Sequence, residues 1–242
     1  MKTLSLLLTV TCFTFAMRAA QEPSLDQQEK QESTWVFPKT EETLEKAFEF
    51  SDPDAFRVIE VDEEPVLDLH QASKYRAAVR SPFGIALIKD VEFGSFVMTC
   101  QLMQTGREYG HRDTCLFFGF EKPTRFYYVH MASQADPNAH NIFRVEDAPR
   151  TNIAKKTTGG VKWGQEVWHD VKIERDVEKG TIRVYFDDMD EPIMIAEDKT
   201  FTWGRVGFGS FDDTGRMRNL RITGQMRRVK GDAFPKKDGE GD

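Results

Sequence analysis

Cysteine is scarce in this chain. The 242 residues hold three, at positions 12, 100 and 115, so no fold stapled by several disulfides is available and at most one bridge joins Cys100 to Cys115. Positive charge is in deficit: Lys and Arg number 33 against 40 Asp and Glu, for a formal charge of −7. That balance argues against nucleic acid or an acidic membrane surface as the main partner, because phosphate binding rests on clustered Lys and Arg. No stretch approaches the roughly 20 apolar residues a spanning helix needs. Long amphipathic helical windows are missing, and no repeat of fixed period is evident, which sets aside solenoids and propellers.

Several catalytic signatures are also missing. The E-x-D-x-x-E strand, which places two carboxylates at close range for glycoside cleavage, does not occur. "VIEVDEEP" has the composition without the spacing. There is no G-x-S-x-G, no H-x-x-x-H and no EF-hand spacing.

What is present begins with "MKTLSLLLTVTCFTFAMRAA". Lys2, an apolar run from Leu4 to Ala16, and Ala19 and Ala20 before a polar segment read as a secretory signal peptide over residues 1–20. The expected location is secreted or periplasmic, where a disulfide is chemically permitted. Its removal takes away Lys2 and Arg18, moving the formal charge from −7 to −9. Residues 21–46 are polar and charged and read as a flexible leader, and 227–242 as a charged tail.

Between them, residues 47–226 change character. Runs such as "FGIALI", "SFVMTCQLM", "TCLFFGF", "FYYVHMA", "VKIER" and "TIRVYF" recur with turn residues between them. This spacing predicts an all-β, two-sheet antiparallel sandwich. In "VKIERDVEKGTIRVYFDD", Val171 and Ile173 alternate with Lys172 and Glu174, and Ile182, Val184 and Phe186 with Arg183 and Tyr185, so these strands are half-buried. "TCLFFGF" is apolar on both faces and reads as a central strand.

The order "FGSFVMTCQLM", "RDTCLFFGF", "FYYVHMA", "WHDVKIER", "GTIRVYFDD" and "WGRVGFGSFDDTGRMRNLRI" resembles the concanavalin A-like lectin/glucanase jelly roll. Within it, the chain is similar to secreted 3-keto-disaccharide hydrolase-like and laminin-G-like domains. The resemblance covers roughly Phe48 to Gly224 and bears on fold more than on chemistry, since this fold hosts hydrolases, lectins and adhesion modules alike.

Candidate chemistry gathers in "YGHRDTCLFFGFEKPTRFYYVHMA". In "FYYVHMA", Tyr127, Val129 and Met131 are expected in the inter-sheet core, with Phe126, Tyr128 and His130 on the other face. A hairpin centred near residues 122–123 sets residue 113 opposite about residue 132, bringing His111, Arg112 and Asp113 toward His130. His130, Tyr128, His111, Arg112 and Asp113 are the expected catalytic groups for acid–base work on a sugar, and Arg144, His140, Asn141 and Tyr109 the expected substrate contacts. The bland alternative is a set of strand-end ion pairs and a hydrogen-bonded histidine.

No cofactor is implied. A divalent ion on His111, Asp113, His130 and His140 is one option, and calcium at Asp187, Asp188, Asp190 and Glu191 or at Asp212 and Asp213 is another. Trp163 and Trp203 are candidates for exposed, sugar-stacking edges, while Trp168 is expected to pack. The expected partner is an extracellular glycan or glycoside, hydrolysed at a glycosidic or keto-sugar bond. The alternatives are a non-catalytic glycan-binding module or a laminin-G-like adhesion domain.

Overall fold

The computed structural model describes residues 32–234. The expected signal peptide lies outside the described residues. Among those described, no helix is long and apolar enough to cross a membrane.

In chain order the elements are β1 (Glu32–Val36), helix α1 (Glu41–Ala47), β2 (Phe48–Phe50), β3 (Phe56–Val61), β4 (Glu64–Leu69), β5 (Gly84–Ile88), β6 (Val91–Gln104), β7 (Asp113–Lys122) and β8 (Arg125–Ala132). They continue with β9 (Asn141–Glu146), β10 (Thr151–Asn152), β11 (Ala154–Thr157), β12 (Trp168–Asp176), β13 (Thr181–Phe186), β14 (Met194–Glu197), β15 (Arg205–Ser210) and β16 (Gly215–Arg228). One turn of 3₁₀ helix, Pro53–Ala55, precedes β3.

Two antiparallel sheets result. The nine-stranded sheet runs β11-β14-β13-β12-β6-β16-β4-β3, with β1 also paired to β16, and the seven-stranded sheet runs β10-β9-β8-β7-β15-β5-β2. This is the concanavalin A-like jelly roll. Part of the segment read as a flexible leader is ordered: Trp35 pairs opposite Ile222 in the sheet, and Thr40 caps α1 by accepting from the Thr43 N–H, with Glu41 and Glu42 at its positive end. At the other end, Ala233 and Phe234 pack against the seven-stranded sheet.

The inter-sheet core is built by alternation. Phe96, Met98, Cys100, Leu102, Val171, Ile173, Ile182 and Val184 come from one sheet and Leu116, Phe118, Tyr127, Val129, Met131 and Ile142 from the other. The expected inward set of β8 is therefore inward, and the β7–β8 register pairs Asp113 with Ala132.

A second apolar cluster covers the opposite face of the seven-stranded sheet. Ile85, Leu87, Cys115, Phe117, Phe120, Phe126, Tyr128, Phe143 and Val145 form it, closed by Val79, Phe211 and Phe234. A bulge at Gly119 makes this possible. Its φ of +56° suits glycine, and the register slips between Phe118 and Lys122. Phe120 consequently leaves the face of Leu116 and Phe118 and stacks on Phe126, with ring centroids 5.0 Å apart.

Two tryptophans sit elsewhere than expected. Trp163 is 1% exposed and donates Nε1–H to the Met131 carbonyl at 3.1 Å, a buried indole whose polar handle is satisfied. Trp168 shares the outer side of β12 with Asp170 and Lys172, half-buried beneath the Arg218 guanidinium at 4.2 Å. Trp203 is half-buried under Arg227 at 4.6 Å. Cys100 and Cys115 are both free thiols. β6 and β7 belong to different sheets, and Cys115 points away from the core that holds Cys100, so succession in sequence does not make the two cysteines cross-strand neighbours.

Candidate functional site

A cavity of about 520 Å³ opens where the outer face of the seven-stranded sheet meets the loops at the start of β7 and the end of β8. Arg80, Phe83, Tyr109, His111, Asp113, His130, Asn138, Arg150, Phe211 and Asp212 line it. These side chains come from five separate stretches of chain. Sheet order brings them together, since β7 lies between β8 and β15.

Asp113 is the deepest anchor. Its Oδ2 lies 3.1 Å from His130 Nε2 and accepts from the Cys115 thiol at 3.1 Å. Its Oδ1 accepts from Ser210 Oγ at 2.8 Å. The Asp113 N–H donates to Asp213 Oδ2 at 3.1 Å, which also accepts from Tyr109 Oη at 2.8 Å. Burial raises the Asp113 carboxyl well above its ordinary value; the Cys115 bond opposes this and the charge of Asp213 adds to it. Asp213 is raised as well, chiefly by burial.

His130 is committed at both ring nitrogens. Nδ1 accepts the His140 backbone N–H at 3.2 Å, which leaves Nε2 to carry the proton toward Asp113. Burial, helped by the positive charge of Arg150, lowers His130 to about 3. At neutral pH it is neutral, with both ring nitrogens engaged.

Arg150 is held in the cavity wall between two rings, its guanidinium carbon 4.8 Å from the Phe143 centroid and 4.5 Å from that of Phe211. One terminal nitrogen donates to Tyr128 Oη at 2.9 Å and the other to the Asn138 carbonyl at 3.0 Å.

The expected site residues divide. Asp113, His130, His111 and Tyr109 line the cavity. Exposed His111 pairs with Asp136 at 2.7 Å. Tyr128 shares the outer face of β8 as expected but is fully buried, acting on the cavity only through Arg150. The other four expected residues lie outside it. Arg112 is buried and donates to the carbonyls of Gly164 at 2.7 Å and Gln104 at 3.1 Å, because neighbours in a strand alternate sides and Asp113 takes the cavity side. Arg144, paired opposite Tyr127, shares that residue's side of the sheet and binds Asp198 at 2.6 Å. His140 is buried, its Nε2 2.9 Å from Thr158 Oγ1, and burial lowers it to about 4. The Asn141 amide braces its own loop by donating to the Asp136 carbonyl at 3.2 Å.

The metal-ligating set also differs from expectation. Asp113, Cys115 and His130 offer ligand atoms within 4.8 Å of one another, whereas His111 and His140 turn to Asp136 and Thr158. Cys115 is packed in the outer apolar cluster and still turns its thiol to Asp113. Its pairing opposite His130 was the available signal, since the same register argument that places residue 113 opposite 132 places 115 opposite 130. In the first of the calcium segments, Asp187 is bonded across the strand pair to His169 Nδ1 at 2.8 Å, and Asp188 accepts from the N–H groups of Asp190 and Glu191 and so forms the turn. Arg80, Arg150, Phe83 and Phe211 carried no local signal.

No protein-family profile matches the chain, and neither does any curated protein. Solved structures do. A winged bean acidic lectin in complex with methyl-α-D-galactose superposes with a TM-score of 0.55 at 13% identity, covering 82% of this chain and 100% of that one. Lectin I of Ulex europaeus gives 0.53 at 14% identity over 79% and 97%. The carbohydrate-binding module CBM66 of Bacillus subtilis gives 0.51 at 15% identity over 72% and 94%. These likenesses establish the class by fold, a concanavalin A-like jelly roll.

Proposed function

We propose that this chain is an exported glycan-recognition protein that holds a sugar in the cavity beside Asp113 and His130. One observation carries the reading: the cavity wall sets the rings of Phe83, Tyr109 and Phe211 beside the polar groups of Arg80, His111, Asn138, Arg150 and Asp212. Sugars present an apolar face and a ring of hydroxyls, and this mixture meets both. Two solved relatives in fold are a lectin bound to methyl-α-D-galactose and a carbohydrate-binding module, in keeping with it. His130, with both nitrogens engaged, fits a preorganised wall better than a proton shuttle.

The test is a glycan array followed by calorimetry on the retained glycans. Phe211→Ala is expected to weaken binding about three- to tenfold, the worth of one aromatic contact. An array that retains nothing overturns the reading.

Hydrolysis of a glycosidic or keto-sugar bond is a second reading, favoured by the raised carboxyls of Asp113 and Asp213. A carboxyl that keeps its proton nearer neutral pH can serve as a general acid. Incubation with the retained glycans, followed by an assay for new reducing ends, decides it. Release that disappears in Asp213→Asn supports turnover, and no release leaves binding alone.

A further inference from the structure

We propose that the sugar bound in this cavity is acidic, a uronate or a sulfate ester, with its anionic group held by Arg150 and Arg80. The proposal rests on the glycan reading above and narrows its ligand class.

Other arginines that are buried or half-buried have a carboxylate: Arg216 has Asp68, Arg144 has Asp198 and Arg205 has Glu49. Arg112 and Arg175 have backbone carbonyls at both terminal nitrogens and line no part of the cavity. Arg150 differs from both groups. Among the described residues no carboxylate lies within ion-pair distance of it, yet it faces an open cavity.

A guanidinium offers five N–H donors. The contacts with Tyr128 Oη and the Asn138 carbonyl leave the remainder to be met from the cavity. Phe143 and Phe211 clamp the group from its two sides, so an anion meets a planar fork already fixed in place, and little further side-chain entropy is lost on binding. Arg80 stands beside it, since the Arg150 N–H donates to the Arg80 carbonyl at 3.3 Å. Arg80 too has no carboxylate partner among the described residues.

The carboxylates nearby bond to groups other than this pair. Asp136 is taken by His111, and Asp213 by Tyr109 Oη and the Asp113 N–H. Asp113 is buried among three side-chain donors, its carboxyl raised toward the neutral form. Asp212 remains as the one exposed carboxylate among the lining residues, at the rim. An acidic protein thus keeps two arginines outside any ion pair in one cavity, an arrangement suited to bidentate recognition of a carboxylate or sulfate.

The experiment is an array of matched neutral, uronate-bearing and sulfated glycans, probed with the protein and with Arg150→Met and Arg80→Met. Retention is expected only on acidic glycans, weakening as salt rises. Arg150→Met is expected to bind about 10–100-fold more weakly, as for one lost charge-assisted contact. Arg80 is exposed, so Arg80→Met is expected to keep its melting temperature and still lose affinity, which decides the matter if Arg150→Met fails to fold. Carboxyl reduction of the retained glycan abolishes binding if the anion is a uronate, and desulfation does so if it is a sulfate ester. Retention of neutral glycans alone overturns this proposal and leaves glycan recognition standing; retention of none overturns both. Undiminished affinity in both arginine variants overturns the assignment of the anion to this pair.

Discussion

The outer faces of the two sheets follow the same alternation and come to opposite ends. On the nine-stranded sheet, Lys172 and Glu174 pair at 3.1 Å, Arg183 approaches Glu174 at 3.8 Å, and Arg218 approaches Glu64 at 3.5 Å. Charge there is answered by charge at the surface. On the seven-stranded sheet the outward residues are Phe117, Phe126, Tyr128 and Phe143, buried under loops and under Ala233 and Phe234, and at the cavity end of that face Arg80 and Arg150 are left without carboxylate partners among the described residues. The difference separates a solvated surface from a built site: a face that neutralises itself has little left for a ligand, whereas a covered face with unanswered donors does.

The largest expected break in this comparison is Phe117→Ala. It removes a fully buried ring from the outer cluster and is expected to cost about 3–5 kcal/mol in denaturant unfolding, as much as a change in the inter-sheet core. A cost below about 1 kcal/mol would mean that the second cluster is loosely packed.

The next largest is acid sensitivity. His130 is lowered to about 3 and His140 to about 4, both first by burial. Each favours the neutral folded state, so the stability it supplies is complete above the ordinary histidine value of 6.5 and drains away as pH falls toward the folded value. Melts between pH 7 and 4 are expected to show a loss of roughly 3 kcal/mol for His130 alone, and His130→Gln is expected to flatten that slope. Asp113 acts in the opposite sense: its raised carboxyl stabilises the fold at low pH and loses that contribution as pH climbs through its folded value. An unaltered acid slope in His130→Gln would place the sensitivity elsewhere.

The smallest effect belongs to the solvated face. Arg183→Ala removes an exposed partner of Glu174 and is expected to change stability by no more than about 0.5 kcal/mol.

Much of the fold was legible because strand periodicity is local. Tyr127, Val129 and Met131 could be placed in the core, and Val171, Ile173, Ile182 and Val184 with them, from alternation alone. The hairpin length placed Asp113 opposite Ala132. Alternation gave two sides and not what covers each. Tyr128 was legible as outward-facing but not as buried, and Arg112, next to Asp113, could not be kept in the site once the strand's two sides were distinguished. Trp163 reads as an exposed edge beside Gly164 until the Met131 carbonyl comes within reach of its indole.

What the sequence determined by itself is the class of architecture, the side of the strand on which each alternating residue falls, and the neighbourhood of Asp113 and His130, because these follow from a two-residue period and one short turn. Only the tertiary structure decided the site's remaining walls. Ser210 and Asp213 reach Asp113 across 97 and 100 residues of chain, and Arg150 arrives from beyond β9. The first two meetings depend on β15 pairing with β7 and the third on β9 pairing with β8, an order fixed by how whole strands bury their apolar faces and written in no local pattern.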